Sequence, residues 1–297
     1  MYKSVIPLLQ NIPELSVSEN ELMSNHTTFK IGGPARLFLD AYSSDAALRC
    51  LDTLNTHGIS PFILGKGSNL LVSDTGFNGV VLKLSCNKVT VSGEHIYAEA
   101  GALLSSVASV AHKNSLGGFE FAHGIPGTVG GAVVMNAGAY GGEIAQVLTE
   151  STYVSDGKVF TVANSSHNFG YRTSIYKKNP GFTVISAEFK LFKGEQDSIA
   201  FKMRELSEKR RDKQPLEYPS AGSVFKRPEG NFAGALIEQC GLKGFSIGGA
   251  EVSEKHAGFI INIGGATCDD VKRLIEHIQS VVLNRTGISL ECEICFI

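Results

Sequence analysis

No apolar run in the chain reaches the roughly 18 residues that a membrane-spanning helix needs. The apolar stretch Val5 to Leu9 is too short for a signal-peptide core and is interrupted by Pro7. These absences predict a soluble, cytoplasmic protein with no membrane insertion. An excess of one charge is missing too: 27 Lys and Arg face 29 Asp and Glu, a formal net charge of -2. The chain therefore exerts no global pull on nucleic acid, and an anionic ligand must be held by local cations. Clustered cysteine is absent as well. Cys50, Cys86, Cys240, Cys268, Cys292 and Cys295 are dispersed, unlike the ligands of a zinc site or a secreted disulfide scaffold. Cys292 and Cys295 do form a CxxC, but inside the alternating run Ile288 to Ile297. Odd spacing sends them to opposite faces of a strand, so joint ligation would break it. No metal is expected. Internal repeats and low-complexity tracts are also lacking.

What is present is an ordered globular composition, 43% hydrophobic and 19% charged over 297 residues, long enough for about two domains. Ser44 is a candidate cap for a helix carrying Leu48, Leu51 and Leu54, with Gly58 at its end. Ala35 to Leu39, Pro61 to Leu64 and Val80 to Leu84 read as strands around it. A second helix is predicted from Leu103 to about Lys113. The runs Glu150 to Val154 and Val159 to Val162, with the alternating Ile185, Ala187, Phe189 and Leu191, predict a meander of strands. The polar helical segment Ser198 to Lys213 is stopped by Gln214-Pro215 and marks a candidate boundary. Beyond it come short strands at Ser223 to Phe225 and Gly258 to Ile263. A helix from Asp269 to Leu283 has Val271, Leu274, Ile275, Ile278 and Val282 on one face, and Ile288 to Ile297 is a terminal strand.

Two loops carry the chemistry. Gly65-Lys66-Gly67-Ser68-Asn69-Leu70 follows a strand, and its glycines let backbone amides approach an anion such as a pyrophosphate. It is no Rossmann fingerprint, because Leu70 stands at the third glycine position and a strand-like run follows where a helix should begin. Taken alone, this loop reads as a turn. The second loop, Gly124-Ile125-Pro126-Gly127-Thr128-Val129-Gly130-Gly131, puts four glycines and a proline into eight residues, with Asn136 and Gly138 beyond. Glycine at that density lowers folded stability, a cost that close packing on a ligand would justify. The alternative is a tight turn in the core.

GKGSNLLVSD (Gly65 to Asp74), GIPGTVGGAVVMNAGAYGGE (Gly124 to Glu143), YRTSIY (Tyr171 to Tyr176), AGSVFKRP (Ala221 to Pro228) and LECEICFI (Leu290 to Ile297) stand in this order after NHTTFKIGGPA (Asn25 to Ala35). In these motifs the chain resembles the UDP-N-acetylenolpyruvoylglucosamine reductase family, and the likeness spans nearly its whole length. The resemblance implies an α+β protein. A vanillyl-alcohol-oxidase-type FAD-binding domain of two α/β subdomains would occupy 1–195, divided into about 1–84 and 85–195. A C-terminal α+β substrate domain would occupy 196–297. It further implies the shorter class of the family, without the extra tyrosine-bearing loop; a monomer is expected, though no residue pattern fixes the oligomeric state. The activity implied is NADPH-dependent reduction of UDP-N-acetylglucosamine enolpyruvate through noncovalent FAD, in peptidoglycan precursor synthesis.

By the same likeness, Gly65, Lys66, Gly67, Ser68, Asn69, Leu70, Gly124, Ile125, Pro126, Gly127, Thr128, Gly130, Gly131 and Asn136 would hold FAD. Arg172, beside Tyr171, would meet the substrate carboxylate, a role that suits a planar and permanently charged guanidinium. Ser223 would give the proton to C2, and Glu293 would stabilise charge and relay the proton. From the residues alone these remain a strand-end arginine, a turn serine and one of two glutamates that strand parity cannot separate, Glu291 and Glu293. Ser223 is no hydrolase nucleophile, because Phe225 replaces the second glycine of a G-x-S-x-G elbow. Tyr171, Lys213, Arg227 and His256 are the substrate-binding candidates. Lys213 would face the diphosphate, or is one more charge in a solvated basic run. Arg227 stands where some relatives carry asparagine and His256 where some carry glutamine. Cys292 and Cys295 replace a proline and an arginine common around the acid. His123, just before the glycine loop, is expected to be a satisfied loop histidine rather than a covalent tether. Another oxidase of the same flavin fold, or a binding module without turnover, would lack the work that Arg172, Ser223 and Glu293 do together.

Overall fold

The computed structural model describes residues 2–297 and forms two compact units, one of residues 2–19, 37–66 and 79–209, the other of residues 20–36, 67–78 and 210–297. In the first unit, the sheet that begins the chain orders its strands as Leu15–Leu22, Pro34–Ala41, Phe77–Leu84 and Phe62–Leu64. Phe62–Leu64 runs parallel to Phe77–Leu84, and the connection between them holds the first glycine loop and the short strand Leu70–Leu71, whereas the helix Ser44–Thr56 links Pro34–Ala41 to Phe62–Leu64. The helix Ser44–Thr56 buries Ala47, Cys50, Leu51 and Leu54 in the core that this sheet shares. Its cap is Ser43 rather than the expected Ser44: the Ser43 hydroxyl accepts the Ala46 N–H at 3.2 Å. Extended backbone at Ser43 makes that bond possible, whereas Ser44 is already helical and its hydroxyl bonds Glu99.

The second sheet of this unit is antiparallel, ordered Lys158–Ala163, Leu148–Ser155, Thr183–Lys190, His95–Glu99, Val89–Ser92. Its inner face packs on the helices Leu104–Lys113 and Val129–Met135 through Val107, Ala111, Val129, Val133, Ala187 and Phe189. Val129–Met135 grows directly out of the second glycine loop. That helix escapes a periodicity reading because two of its first three residues are glycines, poor helix formers.

The other unit has a four-stranded antiparallel sheet, Ser220–Ser223, Phe259–Asn262, Ala250–Val252, Ser246–Ile247. It is covered by the helix Cys268–Thr286, whose stripe of Val271, Leu274, Ile275, Ile278 and Val282 is buried as its spacing predicts. A Thr267–Asp270 capping box starts this helix and left-handed Gly287 ends it. The expected terminal strand Ile288–Ile297 is not one strand. Cys292 bridges Phe225 in antiparallel sense, the chain bends at Ile294, and Cys295–Phe296 then pairs in parallel with Leu70–Leu71. Phe296, in this last pairing, is 42% exposed. All six cysteines are free, and the described residues include no group of side chains arranged to hold a metal ion.

Candidate active site

Ser223 ends its strand just after a bulge. Ser220 pairs with Ile261 and Ser223 with Phe259, so the serine's strand carries one residue more than its partner, and Gly222 takes up the slack at φ 78°. Bulges of this kind re-aim the next side chain. The following residue, Val224, is fixed on both sides: its N–H donates to Gly258 O at 2.9 Å, and its carbonyl accepts the Glu293 N–H at 2.7 Å. The Glu293 carbonyl accepts in turn from Asn69 Nδ2 at 3.1 Å, while the Cys295 N–H donates to Asn69 O at 2.9 Å. The structure thus brings Glu293 beside the Ser223 strand and clamps its backbone from the first glycine loop.

The two glutamates that parity left equal are separated. Glu291 is exposed and ion-paired with Lys226, whereas Glu293 is half-buried at the break between the two pairings. His256 belongs to the same neighbourhood. Its Nδ1 accepts the Gly258 N–H at 3.1 Å, its ring meets Phe259 edge-on, and burial lowers its pKa below 6.5. The imidazole is therefore neutral, with Nε2 carrying the proton. Arg227 is exposed and its guanidinium lies 4.7 Å from the centre of the Phe232 ring. Lys213 is exposed in the last turn of its helix, with no salt-bridge partner among the described residues. Val224 is the residue that sequence reasoning missed; it acts through its backbone, and no side-chain pattern records that.

Arg172 sits in the other unit. Gly170 and Thr173 exchange two backbone hydrogen bonds at 3.2 Å, closing a tight turn, and Arg172 occupies its third position at φ 54°. Glycine or asparagine normally fills such a place, so this arginine is held in a conformation that costs on the order of 1 kcal/mol and needs its surroundings to persist. Those surroundings are the far end of the second glycine loop. Asn136, itself left-handed at φ 43°, donates from Nδ2 to Gly170 O at 3.2 Å and accepts the Ala145 N–H at 2.9 Å. Ser174 Oγ donates to Val134 O at 2.7 Å, and Arg172 Nη1 to Gly138 O at 3.4 Å. The guanidinium also lies 5.4 Å from the Tyr171 ring centre.

The glycine loops contain two kinds of glycine. A Cβ on Gly67 would sit 2.2 Å from His26 O, and its φ of 66° is left-handed, so the chain itself demands glycine there. A Cβ on Gly65 would meet Thr128 Oγ1 at 2.4 Å, which places the start of the first loop against the second. Gly130 would press on Ala100 at 3.0 Å. Gly127 and Gly131 differ: the nearest protein atoms would be 3.9 and 3.7 Å away, and neither has a left-handed φ. Nothing in the chain requires them bare, and in a helix Gly131 costs up to about 1 kcal/mol relative to alanine. A flat group lying on that stretch accounts for both, so the bare surface fits a flavin. His123, beside this loop, bonds Ser207 Oγ at 3.2 Å and is held below its usual pKa by burial, as a loop histidine satisfied within the protein should be.

Residues 35–163 match the family model of an FAD binding domain, and residues 214–297 match the C-terminal domain of UDP-N-acetylenolpyruvoylglucosamine reductase. The reductase of that name from Caldanaerobacter subterraneus is 51% identical over 93% of this chain and 91% of its own length. The one from Clostridium novyi is 48% identical over 94% and 91%. The crystal structure of the Thermus caldophilus reductase superposes with a TM-score of 0.82 at 34% identity, covering 95% of this chain and 99% of that one. An α+β flavoprotein fold is therefore established. The chain belongs to the UDP-N-acetylenolpyruvoylglucosamine reductase family.

Proposed function

We propose that Ser223 delivers the proton to C2 of the enolpyruvyl group, that Glu293 stabilises the developing charge and returns the proton, and that Arg172 binds the substrate carboxylate. The enzyme is an FAD-dependent oxidoreductase that reduces UDP-N-acetylglucosamine enolpyruvate to UDP-N-acetylmuramate with NADPH, in peptidoglycan precursor synthesis. FAD, held by the two glycine loops and Asn136, would supply the hydride transfer from NADPH to C3 of the enol ether. The chain's own task is the rest. As hydride reaches C3, electron density moves toward C2 and the carboxylate; a guanidinium lowers the energy of that charge, and a hydroxyl ends it by protonation. Ser223 cannot remain an alkoxide, so a carboxyl group must restore its proton, and this is Glu293.

The observation that carries the assignment is the hydrogen bond from the Glu293 N–H to Val224 O, which sets the carboxyl-bearing residue against the strand that ends in Ser223. The remaining bare glycines support flavin contact by Gly124 to Gly131, with Gly65 to Leu70 and Asn136 completing the set. Tyr171, Lys213, Arg227 and His256 are the proposed contacts to the nucleotide sugar. Flavin binding belongs to 1–195 and substrate binding to 196–297 in this reading, which the two family-model matches support. The protein acts as a monomer in the cytoplasm; no helix among the described residues is long and apolar enough to cross a membrane. Stopped-flow separation of flavin bleaching by NADPH from its recovery with the enolpyruvyl sugar nucleotide tests the assignment, because Ser223 and Glu293 bear on the recovery alone.

A further inference from the structure

Five residues before Arg172 and four after it, His167 and Tyr176 turn inward and end on one hydroxyl, that of Ser151 in the strand Leu148–Ser155. Ser151 Oγ lies 2.7 Å from His167 Nε2 and 2.6 Å from Tyr176 Oη. His167, Ser151 and Tyr176 are 0%, 1% and 3% exposed, so water does not compete for these bonds. The direction of each follows by elimination. His167 Nδ1 lies 2.9 Å from Ala163 O, which can only accept, so the proton is on Nδ1. Burial depresses the His167 pKa, which leaves Nε2 bare, and it also pushes the Tyr176 phenol up to about 12. The chain of donors is then Tyr176 to Ser151 to His167 to Ala163 O, with every member satisfied.

We propose that Ser151 is a positioning residue for the reaction: by tying both feet of the 167–176 loop to one point on the sheet, it holds Arg172 in its left-handed turn. The proposal rests on the reading that Arg172 meets the substrate carboxylate. The loop has its own backbone closure, Ile175 N–H to His167 O at 2.8 Å, and Asn168 shares the left-handed conformation at φ 49°. A left-handed arginine in so short a loop needs a fixed base, because strain persists only where the surroundings over-determine it. Ser151 supplies that base from outside the loop. Nothing in the sequence marks it, since an isolated serine in an alternating strand carries no motif.

The test uses the holoenzyme and two readouts, amide hydrogen exchange over 168–174 and stopped-flow flavin recovery with the enolpyruvyl sugar nucleotide. Ser151→Ala should speed exchange in that segment and slow recovery on the order of tenfold to a hundredfold, while bleaching by NADPH keeps its rate. Ser151→Thr, which retains the hydroxyl, should restore both. In an Arg172→Ala background, Ser151→Ala should add no further slowing, which a merely structural role would not predict. Where Ser151→Ala fails to fold, Tyr176→Phe keeps the ring and removes one bond of the same chain. Unchanged exchange in both variants, or equal slowing with and without Arg172, overturns the proposal. Normal recovery in Arg172→Ala alone overturns the assignment of Arg172, and with it the catalytic half of this inference, even where exchange rises.

Discussion

Glu293 donates its backbone N–H to Val224 O at 2.7 Å, and this bond, with that from the Lys226 N–H to Glu291 O at 2.8 Å, joins the last residues of the chain to the segment that follows Ser223. Its neighbour Glu291 turns to solvent and to Lys226 instead.

The two glutamates should therefore behave differently. Glu293→Gln keeps the shape and removes the ionisable group, and should slow flavin recovery by roughly a hundredfold or more, the usual scale of general acid–base catalysis. Glu291→Gln removes only an exposed ion pair, worth about 1 kcal/mol at most, and should leave recovery near the wild-type rate. Single-turnover traces for both variants check this. Equal slowing in the two would mean that position on the strand, not charge at Glu293, is what matters.

Gly127 and Gly67 predict opposite phenotypes. A Cβ at Gly127 makes only ordinary contacts, with Ile125 and Leu104 at 3.9 Å, so Gly127→Val should fold with a stability near that of the wild-type apoprotein and fail to retain flavin. Gly67→Ala forces a Cβ against His26 O in a left-handed backbone, and should lower the stability of the apoprotein itself. Thermal melts of both apoproteins, beside flavin absorbance after adding FAD, separate the cases. A yellow Gly127→Val protein would remove Gly127 from the cofactor site.

Much of this was legible in the sequence, and the losses have identifiable causes. The stripe Val271, Leu274, Ile275, Ile278, Val282 gave the helix Cys268–Thr286 because a period of 3.6 is a property of the segment itself. The alternation from Ile288 to Ile297 is just as regular but failed as a single strand. A strand is defined by its partner, and this one changes partner from Phe225 to Leu70–Leu71 at a bend. Arg172 could be picked out by its family motif, yet its left-handed backbone could not be foreseen in a residue type that seldom adopts it. Asn69 also holds the Glu293 carbonyl through its side chain, a contact between residues far apart in the chain that no motif spacing records.

Stability should fall on mild acidification. Burial lowers the pKa of His167 from 6.5, and lowers His123 and His256 likewise. A histidine kept neutral in the fold takes up its proton more readily once unfolded. Its contribution is therefore complete above about pH 6.5 and shrinks as pH drops below that value toward the folded pKa. The melting temperature should decline between about pH 7.5 and pH 5.5, and the decline should be shallower in His167→Gln, whose lower starting stability is set by the lost bond to Ser151. A slope identical to wild type would show that His167 is not among the titrating groups.

The most direct measurement is stopped-flow spectroscopy of Ser223→Ala in its two half-reactions. The variant should purify with flavin, be bleached by NADPH at the wild-type rate, and recover with UDP-N-acetylglucosamine enolpyruvate roughly a hundredfold or more slowly. Equal loss in both half-reactions, or recovery at full speed, would contradict the role given to Ser223 and the site built around it.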